Sequence, residues 1–176
     1  MKKIILAVFI LNFCFLFSQG QKVGYVNTQS IFAQNEDARL AHADVEKEAK
    51  RLQVEYENKA ITLDSLMRDY QKLELMLTNE MKEERQQTIQ ALNMELENFQ
   101  IKYFAQPNGE IYLMLEERMR PIQSLLQSAI EKVAAENSYD YVLDFSQGVI
   151  LYQLDSHDLT QLVIDKMNKI SIEKTD

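Results

Sequence analysis

The sequence is poor in the residues that make turns and covalent cross-links. Its 176 residues include four glycines, two prolines, one cysteine and no tryptophan. All-β sandwiches and loop-built enzyme sites need many turns, so this composition argues against both and favours long helices. A single cysteine excludes an internal disulfide framework. Wholesale disorder is excluded too, because hydrophobic residues make up 46% of the chain.

Positive charge is scarce as well. The chain has 19 Lys and Arg residues against 27 Asp and Glu residues, which gives a formal net charge of −8. Proteins that bind nucleic acids need basic patches to neutralise phosphates, so the charge argues against this function class. The same charge argues against broad adhesion to anionic lipid surfaces.

The N-terminus has the pattern of a secretory signal peptide. Lys2 and Lys3 precede an apolar run over residues 4–17, and the small residues Ser18 and Gly20 occupy positions −3 and −1 of a cleavage site. The run is too short for a helix that spans a bilayer. An uncleaved anchor is the alternative interpretation.

Cleavage before Gln21 would remove residues 1–20, which include two lysines, no acidic residue and the only cysteine. The formal charge of the remaining chain would then move from −8 to −10. An exported chain without cysteine must be held together by packing or by oligomerisation. No later apolar run reaches membrane length, so we expect an exported protein without stable membrane insertion.

Residues 36–137 are polar, charged and helix-prone, and they carry a coiled-coil pattern. Residues at alternating intervals of three and four form three series, and the third of them runs from Leu115 to Val133. Lys59 falls on a d position, where it would either fix the register or reach outward to solvent. The first series is His42, Val45, Ala49, Leu52, Tyr56, Lys59, Leu63, Leu66, Tyr70, Leu73 and Leu77, and the second, out of phase with it, is Ile89, Leu92, Leu96, Phe99 and Tyr103.

The break in phase predicts an antiparallel helical hairpin over residues 36–137, with its tip near residues 78–80. A rival tip is the cluster at residues 107–109, Pro-Asn-Gly. That alternative would join a long helix to a much shorter one and would expose most of the first series. We therefore predict a break in the returning helix at 107–109 and a further bend at Pro121.

Residues 21–35 and 138–176 have β character, and we predict that they form one small body. Residues 139–145 alternate as an amphipathic strand, and residues 149–154 are typical of a strand buried on both faces. The helix after Asp158 is predicted to turn one side inward. That side carries Leu159, Leu162, Val163, Met167 and Ile170.

The predicted fold class is therefore α+β, with a β-rich body built from both chain ends and a long helical hairpin. So small a body is marginally stable alone, and few strands leave exposed edges. Oligomerisation through the body would solve both problems. The residues predicted to form that assembly surface are Val23, Tyr25, Val26, Tyr141, Leu143, Phe145, Val149 and Leu151.

Catalytic chemistry finds little support in the sequence. His42 and His157 have no cysteine partner, and no paired-histidine spacing indicates a metal site. Asp140 and Asp144 share a strand face, but the solvent side of an amphipathic strand explains them more simply. No nucleophile elbow or glycine-rich phosphate loop occurs, so we expect no enzyme activity, metal or cofactor.

Apolar residues lie off the coiled-coil positions of the hairpin, among dense charge. Six of the eight methionines fall within residues 36–137, and flexible thioethers suit surfaces that bind many partners. Such a surface would hold an apolar chain weakly at many points. An apolar chain bound in this way is called a client. Packing between hairpins is the alternative role. The predicted client-binding residues are Ile61, Met67, Leu75, Met76, Met81, Met94, Ile101 and Phe104.

Several stretches resemble the Skp/OmpH-like family of periplasmic chaperones. They are KVGYVNTQSIF at residues 22–32, AIEKVA at 129–134 after Pro121-Ile122, and YDYVLD at 139–144, followed by the terminal helix. Their order and spacing extend the resemblance over essentially the whole chain after the signal peptide. Unlike the best-known members, which are basic, this chain is acidic.

The resemblance implies a periplasmic homotrimer whose helical hairpins surround a cavity. It also implies that unfolded outer-membrane β-barrel proteins are held in that cavity without ATP. Two other functions stay open at this point. One is a structural or adaptor coiled coil that binds one folded partner in the envelope, and the other is an exported enzyme.

Overall fold

The computed structural model describes residues 20–148 and 150–173. The predicted signal peptide therefore lies outside the described residues, apart from Gly20. The described chain divides into two compact units. We call residues 35–123 the hairpin unit, and residues 20–34, 124–148 and 150–173 the sheet unit. The elements are β1 (Val23–Val26), α1 (Thr28–Gln34), α2 (Glu36–Leu73), α3 (Asn79–Phe104), α4 (Glu110–Glu136), β2 (Tyr141–Asp144) and α5 (Thr160–Glu173), with 3₁₀ turns at Glu74–Met76 and Asp155–His157.

Both long helices of the hairpin unit begin at a side-chain cap. The side chain of Asn35 accepts a hydrogen bond from the backbone N–H of Ala38, at 2.9 Å, at the start of α2. Thr78 accepts one from the N–H of Met81, at 3.3 Å, at the start of α3. Each cap satisfies a backbone donor that has no partner within the helix. The helix break at residues 74–78 therefore follows from the local sequence.

Cross-helix contacts show that α2 and α3 run antiparallel. Lys59 binds Glu95 at 2.5 Å, and the side-chain amide of Gln86 donates to the hydroxyl of Tyr70 at 2.7 Å. Residue numbers thus rise along α2 as they fall along its partner. The hydrogen bond from Lys59 to Glu95 raises the pKa of the lysine. Lys59 therefore occupies its d position as half of a cross-helix ion pair.

The seam of the hairpin unit is buried most fully at the end far from the residue 74–78 break. Buried side chains come from all three helices of the unit, whereas Leu63, Leu66, Tyr70, Ile89 and Leu92 are only half-buried. His42 was predicted to lie in the seam, and this is wrong. It is exposed, and Ala41 is buried in its place. The buried set is Ala38, Ala41, Val45, Leu52, Leu96, Phe99, Met119 and Ile122.

The returning segment is broken at residues 105–109, as the Pro-Asn-Gly cluster predicts. Helix α3 ends at Phe104, and α4 begins at Glu110 and continues through Pro121. Gly109 is tightly enclosed by backbone. A Cβ atom at this position would lie 2.7 Å from the carbonyl oxygen of Ala105 and 2.8 Å from that of Tyr103. Only a residue without a side chain fits this junction.

We therefore expect Gly109→Ala to destabilise the protein by about 1–3 kcal/mol, the usual cost of overpacking a tight site. The measurement is urea unfolding followed by circular dichroism at one fixed protein concentration. Asn108→Ala is the matched control, because Asn108 lies in the same turn and is exposed. Equal midpoints for Gly109→Ala and the wild type would mean that the junction relaxes without cost.

The sheet unit is built around two short parallel strands. Register runs from Val23 opposite Tyr141 to Val26 opposite Asp144. The other edge of β1 is covered, because the N–H of Leu159 donates to the carbonyl of Tyr25 at 2.9 Å. Helices complete the core. Its buried side chains are Tyr25, Val26, Ile31, Leu126, Ala129, Val133, Leu159, Val163, Met167 and Ile170.

Two expectations for the sheet unit are wrong. Residues 150–154 form no strand, and Leu151 and Tyr152 are almost fully exposed instead of buried. The segment at Leu159 already pairs with the other edge of β1, so residues 150–154 could join the sheet only at the outer edge of β2, and they do not pair there. Leu162 is also exposed, so the inward side of α5 is narrower than predicted.

The sheet unit takes in α4 from residue 124 onward, whereas the sequence assigned the chain up to residue 137 to the hairpin. Leu126, Ala129 and Val133 are all buried in this part of α4. Their regular spacing is compatible with either unit, which explains why periodicity alone misplaced the division. The assignment of separate roles to the two units stays a prediction.

The carboxylate of Asp144 joins the end of β2 to the start of α1. It accepts hydrogen bonds from the hydroxyl of Thr28 at 2.6 Å and from the backbone N–H of Ser146 at 3.0 Å. Partial burial acts to raise the pKa of Asp144. The hydrogen bonds from Thr28 and Ser146 together outweigh that burial, so the pKa lies below its ordinary value of 3.8.

A lowered pKa makes stability depend on pH in a definite direction. The unfolded chain binds a proton at Asp144 more readily than the folded one, so this contribution is complete above the ordinary pKa and is lost as pH falls through the folded value. We expect Asp144→Asn to flatten the fall of the urea midpoint between about pH 5 and pH 2. Asp69→Asn, at an exposed site in α2, is the control. Parallel pH profiles for wild type and Asp144→Asn would contradict the expectation.

Candidate functional site

The hairpin unit carries the eight predicted client-binding residues on exposed or half-buried positions. Two lie on α2, two in the 3₁₀ turn at residues 74–76 and four on α3. Seven of them are exposed, and Phe104 is half-buried at the end of α3. We call this set the arm surface. Its members are Ile61, Met67, Leu75, Met76, Met81, Met94, Ile101 and Phe104.

The most exposed apolar side chains of the arm surface lie at the helix break. Leu75 is 97% exposed and Met76 is 82% exposed. Both side chains belong to a 3₁₀ turn of only three residues, and α3 begins after it at Asn79. Large apolar groups left in water are favourable contacts for another apolar chain. Leu75 and Met76 are therefore free to contact another apolar chain.

A shallow groove runs between α2 and α3 beside the arm surface. Its larger part has a volume of about 410 Å³, and its smaller part of about 280 Å³ shares Leu63, Met67 and Asn93 with it. No charged side chain lines the larger part, although the rest of the hairpin is densely charged. The apolar lining is Leu63, Met67, Tyr70 and Ile89, and the amides are Gln71, Gln86, Gln90 and Asn93.

The groove was not identified from the sequence. Leu63, Tyr70 and Ile89 were assigned to the seam, which implied full burial. The signal that could have found it is the group of four amide residues that faces the seam at this level. Apolar walls with amide donors and acceptors can contact both the side chains and the main chain of a bound segment.

The part of the chain that the structure describes gives no indication of a metal site or of a membrane-spanning helix. Within residues 20–148 and 150–173, no cluster of three or more His, Cys, Asp or Glu residues could hold a metal ion. His157 is half-buried, and its Nδ1 lies 3.3 Å from the hydroxyl of Tyr139. Over the same residues, no helix combines the length and the apolar character needed to cross a bilayer.

The predicted assembly residues of the sheet unit differ in how far the protomer buries them. Tyr25 and Val26 are buried in the core of the protomer, so assigning them to an assembly surface is wrong. Phe145 is half-buried, with its ring 5.0 Å from that of Tyr25. Val149 lies outside the described residues. The exposed remainder, with Tyr152 added from the structure, is called the sheet surface: Val23, Tyr141, Leu143, Leu151 and Tyr152.

An apolar cleft of about 330 Å³ adjoins the sheet surface and is lined by Leu143, Tyr152 and Leu154, among others. Burial, Asp158 and Asp155 raise the pKa of Tyr25, whose hydroxyl donates to the carbonyl of Leu154 at 3.1 Å. Gln153 also lines the cleft. Its Oε1 is the one buried side-chain polar atom among residues 20–148 and 150–173 that has no hydrogen-bond partner. Buried polar atoms are normally paired with protein groups or with ordered water.

Among the described residues, the sheet has two strands and nothing pairs with the outer edge of β2. Free edges of this kind pair readily with strands of other chains. The free edge and the exposed apolar side chains of the sheet surface occur in one unit.

Comparison with known proteins gives concordant results. Residues 22–167 match the family described as outer membrane protein (OmpH-like). The chaperone protein Skp of Vibrio cholerae is 27% identical over 149 residues, which cover 82% of each chain. A crystal structure of an OmpH-like outer membrane chaperone from Caulobacter crescentus superimposes with a TM-score of 0.67, at 12% identity, over 88% of this chain and 91% of that one.

The structural match shows a shared fold, and the α+β class predicted from the sequence is confirmed. The family match extends over the β1, hairpin, β2 and α5 regions together. The chain therefore belongs to the OmpH-like outer membrane protein family.

Proposed function

We propose that this protein is an ATP-independent holdase chaperone of the periplasm that binds unfolded outer-membrane β-barrel proteins. The observation that carries the proposal is the arm surface, a series of exposed apolar side chains along α2 and α3. Single exposed apolar side chains are common in folded proteins, but several on one helical hairpin can together bind an apolar chain. The names of the Vibrio and Caulobacter relatives support the same role.

The arrangement of charge favours holding without folding. Arg51 pairs with Glu48 within α2 at 2.7 Å, and Lys59 pairs with Glu95 of α3 at 2.5 Å, so part of the charge on the hairpin is paired within the chain. Apolar contacts spaced along such a hairpin bind an unfolded chain weakly at several points, and the surrounding charge keeps the complex in solution. Holding of this kind requires no nucleotide.

We propose further that three copies assemble through the sheet surface and hold the client between their hairpins. The free edge of β2 and the exposed Tyr141 and Leu143 support this arrangement, because strand pairing would cover both. The sheet unit alone has a small core, and assembly would bury more apolar area.

The test is native mass spectrometry of the chain from Gln21 onward, alone and with a urea-unfolded outer-membrane barrel protein, beside a light-scattering assay of client aggregation. The proposal requires a trimer that takes up the client and suppresses scattering without ATP. A monomer or dimer that ignores the unfolded barrel would overturn it. Binding of one folded envelope protein instead would favour the adaptor function.

A further inference from the structure

The described chain concentrates its exposed sulfur atoms in the hairpin unit. Met67, Met76, Met81 and Met94 are each at least 43% exposed. Met114 is half-buried, and two further methionines are buried, Met119 at 6% in the hairpin unit and Met167 at 1% in the sheet unit. Residues 20–173 of the sequence contain no cysteine, so no thiol competes for an oxidant there.

Exposure decides which thioethers react first. Hydroperoxides must reach the sulfur atom directly, and folded structure shields a buried side chain. Met76 is the most exposed methionine, in the 3₁₀ turn, and Met67 lines both parts of the groove. The structure therefore separates four exposed methionines from a buried pair, with the half-buried Met114 between the two groups.

We propose that these four methionines are a reversible oxidation site that switches off client holding. The inference rests on the proposed holdase function, because it concerns the same arm surface. The thioether sulfur attacks the distal oxygen of hydrogen peroxide, the O–O bond breaks, an S–O bond forms and water leaves. Sulfur loses two electrons and the peroxide gains them. Methionine sulfoxide reductases return the sulfoxide to the thioether.

The consequence follows from the polarity of the product. A sulfoxide is polar and accepts hydrogen bonds from water, so it no longer gains free energy when an apolar client covers it. Four of the eight members of the arm surface would change in this way. Because the four side chains are already exposed, oxidation leaves the buried cores of both units unaltered.

The first measurement locates the oxidation. The chain from Gln21 onward is treated with hydrogen peroxide under native conditions, and peptide mass spectrometry follows each methionine over time. We expect Met76 to react first, the other three exposed methionines next, the half-buried Met114 after them, and Met119 and Met167 last. Uniform reaction of all methionines in the folded protein would overturn the proposal.

The second measurement links oxidation to holding. We expect oxidised wild type to bind an unfolded barrel protein on the order of tenfold more weakly, the effect of losing a few apolar contacts. Treatment with methionine sulfoxide reductase should restore the affinity. Native mass and far-ultraviolet circular dichroism should stay unchanged, because no core residue is modified.

A matched variant isolates the four sulfur atoms. Leucine is apolar, similar in volume and resistant to peroxide. The affinity of the combined variant Met67→Leu, Met76→Leu, Met81→Leu and Met94→Leu for the client is therefore compared with its own value before treatment, and we expect peroxide to leave that value unchanged. Equal losses in the variant and the wild type would overturn the proposal. So would oxidised wild type, with sulfoxides verified at all four positions, that binds at full affinity.

Failure of the underlying function is distinguishable. Untreated protein that does not hold the client would refute the holdase function, and the oxidation proposal would fall with it. Untreated protein that holds the client, with no change after oxidation, would refute the switch alone.

Discussion

Leu143→Asp is expected to dissociate the proposed trimer into monomers that remain folded. Leu143 is 47% exposed in the protomer, so an aspartate in its place stays hydrated in a free chain. In an assembly through the sheet surface the same carboxylate would be buried without a partner, which costs several kcal/mol at each copy. Native mass spectrometry and circular dichroism measure both parts of the expectation.

Leu162→Asp is the matched control for this prediction. Leu162 is 46% exposed and lies in the same unit, on α5, but outside the sheet surface. The control should keep the mass of the wild-type assembly. If Leu143→Asp keeps that mass as well, the assembly surface lies elsewhere on the chain.

Client binding should weaken by roughly ten- to a hundredfold when Ile61, Met76 and Ile101 are all replaced by serine. Each substitution removes an apolar contact from the arm surface, and a large apolar side chain contributes up to about 1.5–3 kcal/mol when fully covered. Phe104 is left intact, because it is half-buried and its loss would endanger the fold. The affinity for an unfolded barrel protein is the quantity to measure.

Ile172→Ser provides the comparison for the arm variant. Ile172 is 64% exposed on α5, close to the values of 64% and 65% for Ile61 and Ile101. A loss of affinity in the triple variant alone would assign holding to the arm surface. Equal affinity in the triple variant and the wild type would exclude these residues from the binding surface.

The helical hairpin was predictable because its signals are local. The caps at Asn35 and Thr78 and the break before Gly109 depend on a few neighbouring residues each. The prediction that His42 lies in the seam was wrong because a heptad repeat does not match a straight helix. A strict heptad advances by 3.5 residues per turn, whereas a straight α-helix advances by 3.6, so the buried stripe drifts onto Ala41.

The sheet unit was less predictable because its contacts are long-range. Residues 149–154 have the composition of a strand, but no local feature reveals that Leu159 already occupies the edge of β1. Tyr25 and Val26 were predicted to lie on the assembly surface because no local feature shows that the chain itself buries them. Alternation shows which residues share a face and leaves open whether the chain itself covers that face.

Exposure of the arm surface could be inferred from the sequence, since its members lie off the heptad positions. The groove could not, because it arises where the seam between α2 and α3 is incompletely closed. A role of the groove in binding clients stays a prediction.

The uneven closure of that seam implies a gradient of local stability. Val45, Leu52 and Phe99 are buried, whereas Leu66, Tyr70 and Ile89 nearer the break are only half-covered. Less buried area means a smaller free energy for local opening, so backbone amides near residues 66–92 should exchange with solvent deuterium sooner than those near residue 45. The part of the hairpin near the break can then open and re-form while its opposite end stays folded, which would let the proposed holdase adapt to clients of different size.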